Sequence, residues 1–261
     1  MTSSFFFYKN RIALQTLLSR EIQRFMRIWT QTLLPPAITM SLYFIIFGTL
    51  IGSQIREIDG YPYIKYIVPG LIMMSIMTSA YTNTASSFFL TKFNKSIEEM
   101  LVSPMSNLVV LLGFSLGGLL RGLLTGTIVA LISLFFTSLS IQHYTIVIPM
   151  AVLSAMVFSM GGLINAIYAK HFDDIAFIPT FLLTPLTYLG GVFFSIKQLP
   201  SGWQYLATFN PVLAMIDTFR FGILNVSDLS IYWGFSLVSI LFFVLFFWSW
   251  ALLNKGIGIK V

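Results

Sequence analysis

The sequence predicts an all-α polytopic membrane protein. Its elements are six transmembrane helices, an N-terminal interfacial helix, a short cytoplasmic surface helix and short re-entrant helices before the last span. Two observations carry this. The 261 residues are 57% hydrophobic and only 9% charged, with a mean hydropathy of +0.86; a soluble domain is roughly a quarter charged. Apolar stretches of span length also recur along the chain, joined by short polar loops. No segment is long and polar enough to form a separate soluble domain.

Residues 1–29 form the first unit. Phe5-Phe6-Phe7-Tyr8 precedes Lys9 and Arg11, the reverse of a secretory signal, so the N-terminus is expected to be retained. Leu14, Leu18, Ile22, Phe25 and Trp29 recur at helical spacing, with Arg20, Gln23, Arg24 and Arg27 largely opposite. Arg20, Arg24, Phe25 and Arg27 thus mark a helix lying in the interface plane, its basic side among membrane lipid headgroups. A basic leader that only fixes orientation is the plainer alternative.

Residues 30–256 form the transmembrane domain. The first span, 32–52, carries Pro35-Pro36 near its start, where the early N–H groups lack helical partners. A polar loop with Arg56, Glu57, Asp59 and Gly60 leads to a second span, 66–90. The third, 108–137, holds Arg121, expected near the cytoplasmic boundary, and repeats glycine at 118, 122 and 126. That stripe allows close helix approach, within the subunit rather than at a dimer seam. The fourth span, 146–168, ends in the polar turn Lys170 to Asp174. The fifth, 175–194, is interrupted by Pro179 and Pro185. The sixth runs 231–253, and residues 257–261 are a cytoplasmic tail.

Positive charge sets the orientation. With the N-terminus inside, Lys9, Arg11, Arg20, Arg24, Arg27, Lys92, Lys95, Lys170, Lys255 and Lys260 are cytoplasmic. Only Arg56, Lys65, Lys197 and Arg220 lie outside. An even number of spans then puts both termini in the cytoplasm. The net charge of +6 therefore reports topology and anionic lipid rather than nucleic acid.

Several chemistries are excluded. There is no Gly-Lys dipeptide and hence no phosphate loop. Zero cysteines and two distant histidines argue against zinc. No catalytic, cofactor or metal residue is expected. The apolar spans carry almost no ionisable groups, unlike ion-coupled carriers, so the energy should come from a partner.

Two connectors stand out. In 91–107, Phe93, Ile97, Met100 and Leu101 recur at helical spacing, Ser96 and Glu99 have capping-box spacing, and Pro104 ends the segment. This predicts a surface helix whose stripe either enters a groove on a soluble protein or lies on the membrane. In 195–230, Trp203, Tyr205 and Phe209 suit the interface, and Asn210-Pro211 separates two short helices dipping into the outer leaflet. Asp217 and Arg220 sit one helical turn apart there, and Gly190-Gly191 just before offers close packing or a hinge. An ordinary structured outer loop is the alternative.

Taken together, Phe25-Met26-Arg27 through Thr32-Leu33-Leu34-Pro35-Pro36, Val68-Pro69-Gly70-Leu71, Ile97-Glu98-Glu99-Met100-Leu101-Val102-Ser103-Pro104, Thr184 to Phe194, Asn210-Pro211 and Phe219-Arg220 resemble the ABC-2-type transporter permeases, the membrane subunits of ATP-binding-cassette exporters. Within that family they look similar to the bacterial inner-membrane YadH-like branch. The resemblance covers nearly the whole chain. It implies a homodimer of permeases with two copies of a separate ABC ATPase, which binds ATP-Mg, and a bacterial inner-membrane location. It also implies that a coupling helix over Asn94 to Pro104 is seated in that ATPase. Lys95, Ile97, Glu98, Glu99, Leu101 and Pro104 would then transmit its motion. The rival from another class is an ATPase-independent channel or secondary transporter, and a structural interaction protein is weaker still. The family does not fix the cargo.

Overall fold

The computed structural model describes residues 2–52, 54–55, 57–103 and 105–258. The chain opens with α1 (Thr2–Arg27), a single turn α2 (Trp29–Thr32), and α3 (Leu34–Ile45), which runs into a π-helical stretch Ile46–Ile51. Prolines 35 and 36 fall in the first turn of α3. Pro36 has no N–H for the Thr32 carbonyl four residues earlier. The Arg121 guanidinium donates to that carbonyl instead, at 3.2 Å. A charge deep in a span is thus used to satisfy backbone that proline orphaned.

A two-residue hairpin follows, Glu57–Ile58 (β1) against Tyr61–Pro62 (β2). Asp59 and Gly60 both have positive φ, +50° and +80°, as a type I′ turn requires. The expected plain polar loop is therefore a hairpin, and its Tyr61 hydroxyl donates to the Leu224 carbonyl at 2.7 Å.

The centre of the bundle is α4 (Tyr63–Phe93), buried along most of its length. Behind it come α5 (Ser96–Val102), α6 (Asn107–Ser133) and α7 (Tyr144–Tyr168). Next are α8 (Asp174–Ile178), a π-helical turn Pro179–Leu183, and α9 (Thr184–Tyr188). A 3-10 turn Ile196–Gln198 precedes α10 (Ser201–Thr208), α11 (Pro211–Leu224) and α12 (Ile231–Lys255). The two short helices expected around Asn210-Pro211 are α10 and α11, and Asn210 is the N-cap of α11.

Among the described residues, five helices are long and apolar enough to cross a membrane: Trp29–Gly48, α4, α6, α7 and α12. The segment expected as a fifth span is instead broken into α8, the π-turn and α9. Pro179 and Pro185 each remove a helical hydrogen bond, and the register shifts by one residue to absorb the first loss. α12 presents Tyr232, Ile240, Phe243, Val244, Phe247 and Trp248 outward, the surface of a helix solvated by lipid.

Glycine decides where the helices touch. A Cβ on Gly122 would lie 2.8 Å from the Ile76 carbonyl and 2.9 Å from Ala80 Cβ of α4. Gly118 and Gly126 approach Thr84 and Ile76 of the same helix, so the stripe packs inside one chain. On α7, Gly162 meets the Tyr81 carbonyl of α4. A second glycine face of α6 receives α1: Gly113 abuts Leu17, and Gly117 abuts Glu21. Asn10 also accepts from the Ser106 N–H, so α1 and α6 run parallel at a constant offset of 96 residues. The N-terminal helix thus packs along α6 over about three turns.

Gly122→Leu should lower the thermal midpoint of the detergent-solubilised protein, by overpacking worth about 1–3 kcal/mol. Gly202→Ala, where nothing lies within 4 Å of the added carbon, should leave it unchanged or raised. A scanning-fluorimetry melt of both variants checks this.

Candidate functional site

At the C-terminal end of α4, the chain turns sharply into α5 through Lys95, whose φ of +58° is left-handed. Ile97 and Met100 face inward; Ile97 is 2% exposed and belongs to the core. Lys95, Glu98 and Glu99 are exposed, as are Phe93 at 69% and Val102 at 88%. Pro104 and the Leu101 side chain lie outside the described residues. The sequence expected Ile97 as an outward apolar anchor, and the structure corrects this: Ile97 roots α5 in its own bundle. The capping box is also absent. Ser96 Oγ donates back to the Thr91 carbonyl at 3.1 Å, and Lys95 rather than Ser96 is the N-cap. Lys92 Nζ donates to the carbonyls of Ile167 and Ala169 at 2.7 and 2.8 Å. It ties the end of α4 to the C-terminus of α7.

Beside α5, α1 carries a polar seam that sequence reasoning missed. Glu21, fully buried, accepts from Ser87 Oγ at 2.6 Å and pairs with Arg24 at 3.1 Å. Arg24 also donates to Asn83 Oδ1 at 2.8 Å, and Arg20 donates to Thr91 Oγ1 at 2.9 Å. The two arginines expected among headgroups therefore turn onto α4. Phe25 is buried, and Arg27 is exposed. The signal was present in the sequence: a lone acid on a basic helix, and Asn83 and Ser87 one turn apart within a span.

At the N-terminal end of α4, Gly190, Gly191, Asn210, Pro211, Asp217 and Arg220 come together. Arg220, 1% exposed, donates from Nη1 to Tyr66 Oη at 3.0 Å and from Nη2 to the Gly191 carbonyl. Its guanidinium carbon sits 4.1 Å from the centre of the Tyr66 ring. Asp217 lies 3.9 Å away and accepts from the backbone N–H groups of Asp228 and Leu229, each at 2.9 Å. Asn210 Oδ1 caps α11 at Val212 N, while its Nδ2 donates to the Leu186 carbonyl at 2.8 Å. Gly191 takes φ +68°, and its neighbour Gly190 has no room for a Cβ beside Val212. Pro211 opens α11 at the position where a missing N–H costs nothing. Nearby, Asp228 accepts from Ser195 Oγ and the Ile196 N–H and pairs with Lys197 at 3.1 Å. The hydrogen bond to Asp228 holds the Lys197 ammonium above its ordinary value of 10.5, helped by the charges of Asp228 and Asp59. That contribution is complete below pH 10.5 and is lost only as the pH rises through the higher folded value.

Between these ends, α4 exposes one stripe, Met74, Thr78, Thr82, Ser86 and Leu90. It borders a cleft lined by Met74, Thr78, Tyr81, Thr82, Pro179, Leu183, Thr184, Thr187 and Tyr188, opposite the broken helix. The described residues hold no cluster of metal-ligating side chains.

The sequence pattern described as ABC-2 type transporter matches residues 12–224, from within α1 through the end of α11. The chain belongs to the ABC-2 type transporter family. This ABC-2 protein is 49% identical over 249 residues to the inner membrane transport permease YadH of Escherichia coli K12, covering 95% of this chain and 97% of that one. It is 25% identical over 183 residues to nodulation protein J of Rhizobium leguminosarum bv. viciae, covering 69% and 70% of the two chains. The family match takes in the α1 seam, α5 and the Arg220 brace of this ABC-2 transporter.

Arg220→Leu should destabilise the protein by about 3 kcal/mol, because Asp217 keeps its charge while the Tyr66 hydroxyl and Gly191 carbonyl lose their donor. Lys197→Gln, at a side chain 61% exposed, should change stability by less than about 1 kcal/mol. Thermal unfolding in matched detergent compares them.

Proposed function

We propose that this chain is the permease subunit of an ATP-driven exporter in the bacterial inner membrane. Two copies form the pathway, and two copies of a separate ABC ATPase bind ATP-Mg and seat on α5. The observation that carries this is the two-sided character of α5. Ile97 and Met100 fix it in the bundle, while Phe93, Lys95, Glu98, Glu99 and Val102 stand exposed at the cytoplasmic end of α4. An apolar tip within a charged rim suits a groove on a soluble partner. The chain has no phosphate loop of its own, and no nucleic-acid partner is invoked. Similarity to an inner membrane transport permease supports the location.

In this arrangement the broken α8–α9 segment supplies the sixth crossing, tolerable where a neighbouring helix rather than lipid covers it. α10 and α11 re-enter the outer leaflet, held by the Arg220 brace. Both termini are cytoplasmic, which puts Arg11 and Arg27 among inner-leaflet headgroups. An ATPase-independent carrier would need a free intramembrane acid. Glu21 and Asp217 are the buried candidates, and each is already hydrogen-bonded inside the chain.

Val102→Asp combined with Glu98→Arg alters only the exposed side of α5. It should abolish co-purification of an ABC ATPase from the native host while the thermal midpoint stays within a few degrees of the parent. Retention of the ATPase at parental levels would overturn the coupling role of α5. Transport by the purified chain alone, without ATP, would overturn the ATP-driven assignment.

A further inference from the structure

The cleft between α4 and the α8–α9 segment has an unusual polarity for mid-membrane depth. Thr78 lies at the midpoint of α4 (Tyr63–Phe93), and Thr82 is one turn further on. Every threonine hydroxyl lining the cleft donates its proton to its own helix. Thr78 donates to Met74 O at 2.8 Å, Thr82 to Thr78 O at 2.8 Å, Thr184 to Pro179 O at 2.9 Å and Thr187 to Leu183 O at 2.7 Å. A hydroxyl has one proton and two acceptor sites. With the proton committed, each of these oxygens has only lone pairs left to offer. No Lys, Arg, His, Asp or Glu is among the lining residues. Tyr81 also lines the cleft, but its hydroxyl is buried and the residue is only 2% exposed. Tyr188 adds an aromatic ring to the lining and is 53% exposed.

We infer that this cleft selects cargo with a hydrogen-bond-donating head group, an ammonium or a polyhydroxyl, on an apolar body, and rejects anionic heads. The inference rests on the proposed role of the chain as a transport pathway. A donor head satisfies the lone pairs of the threonines it reaches. An ammonium gains further from the Tyr188 ring. A phosphate or carboxylate meets no cation, and its desolvation is uncompensated.

The test uses the full chain in nanodiscs of zwitterionic lipid, with decylammonium, decyl glucoside and decyl phosphate as probes. Native mass spectrometry of the permease alone reads binding, and ATP hydrolysis by the permease–ATPase complex reads stimulation. Decylammonium and decyl glucoside should bind and stimulate, and decyl phosphate should do neither. Replacing Thr78, Thr82 and Thr184 together by valine, which keeps the shape and removes the lone pairs, should weaken binding of both donors by about tenfold or more. Equal binding of decyl phosphate, or an unchanged response of the valine variant, overturns the inference. So does a disulfide between two copies of Thr82→Cys in this cysteine-free chain if the donors then fail to bind, because the stripe is then a subunit seam. If no ATPase stimulation appears but binding to the permease follows the expected order, the ATP-driven assignment fails and the head-group preference stands.

Discussion

Lipid tails are as apolar as leucine, so burial of apolar surface does not draw spans together inside a membrane. What holds this bundle is close backbone approach. Gly118, Gly122 and Gly126 let α6 lie against α4, and Gly162 lets α7 do the same from another side. Gly113 and Gly117 then provide the seat for α1. Because α4 is clasped by both α6 and α7, almost every polar group it carries must find a partner inside the protein. Ser87 and Asn83 find the α1 charges, Tyr66 finds Arg220, and Thr84 shares the Ala80 and Phe114 carbonyls. The one stripe of α4 left uncovered is therefore conspicuous by exclusion.

Much of this was legible in the sequence where one residue type dominates a local outcome. The apolar runs located all five long spans to within a few residues, the glycine triplet located the α6 contact, and Asn210-Pro211 located the break between α10 and α11. The failures have one origin, which is that sequence spacing locates a face but not what covers it. Phe93, Ile97 and Met100 recur at helical spacing, yet Phe93 ends α4, and the sharp turn at Lys95 sends Ile97 inward and leaves Phe93 out. Arg20 and Arg24 read as headgroup ligands because their partners on α4, Thr91 and Asn83, stand more than 50 residues away. Asp59-Gly60 is a direct hairpin signal, the Asp-Gly pair that a type I′ turn favours.

The buried charges divide into two kinds. Arg121 and Lys92 serve backbone carbonyls left open by Pro36 and by the end of α7. Glu21–Arg24 and Asp217–Arg220 join separate segments instead: the first fastens α1 to α4, and the second fastens the loop at Gly191 to α11 and to Tyr66 of α4. Breaking such a pair leaves a charge without its counter-ion, which costs more than the intact pair contributes over an apolar replacement. Both ends of α4 are consequently fixed by contacts with a steep penalty for partial loss.

This arrangement bears on how a displacement of α5 would travel. α5 has no independent footing: Ile97 sits in the bundle core, and Ser96 is bonded to the last turn of α4. Lys92, three residues before Lys95, binds the end of α7. A displacement of the exposed side of α5 must therefore move α4 and α7 together, and α1 with them through Glu21. Among the described residues, the α8–α9 segment across the threonine cleft is not bound to α4 by such polar contacts. It is also the least regular helix in the bundle, with two prolines and a π-turn. Rigid coupling on one side of the cleft and a proline-weakened wall on the other make the cleft the place where a movement of α5 changes the distance between helices.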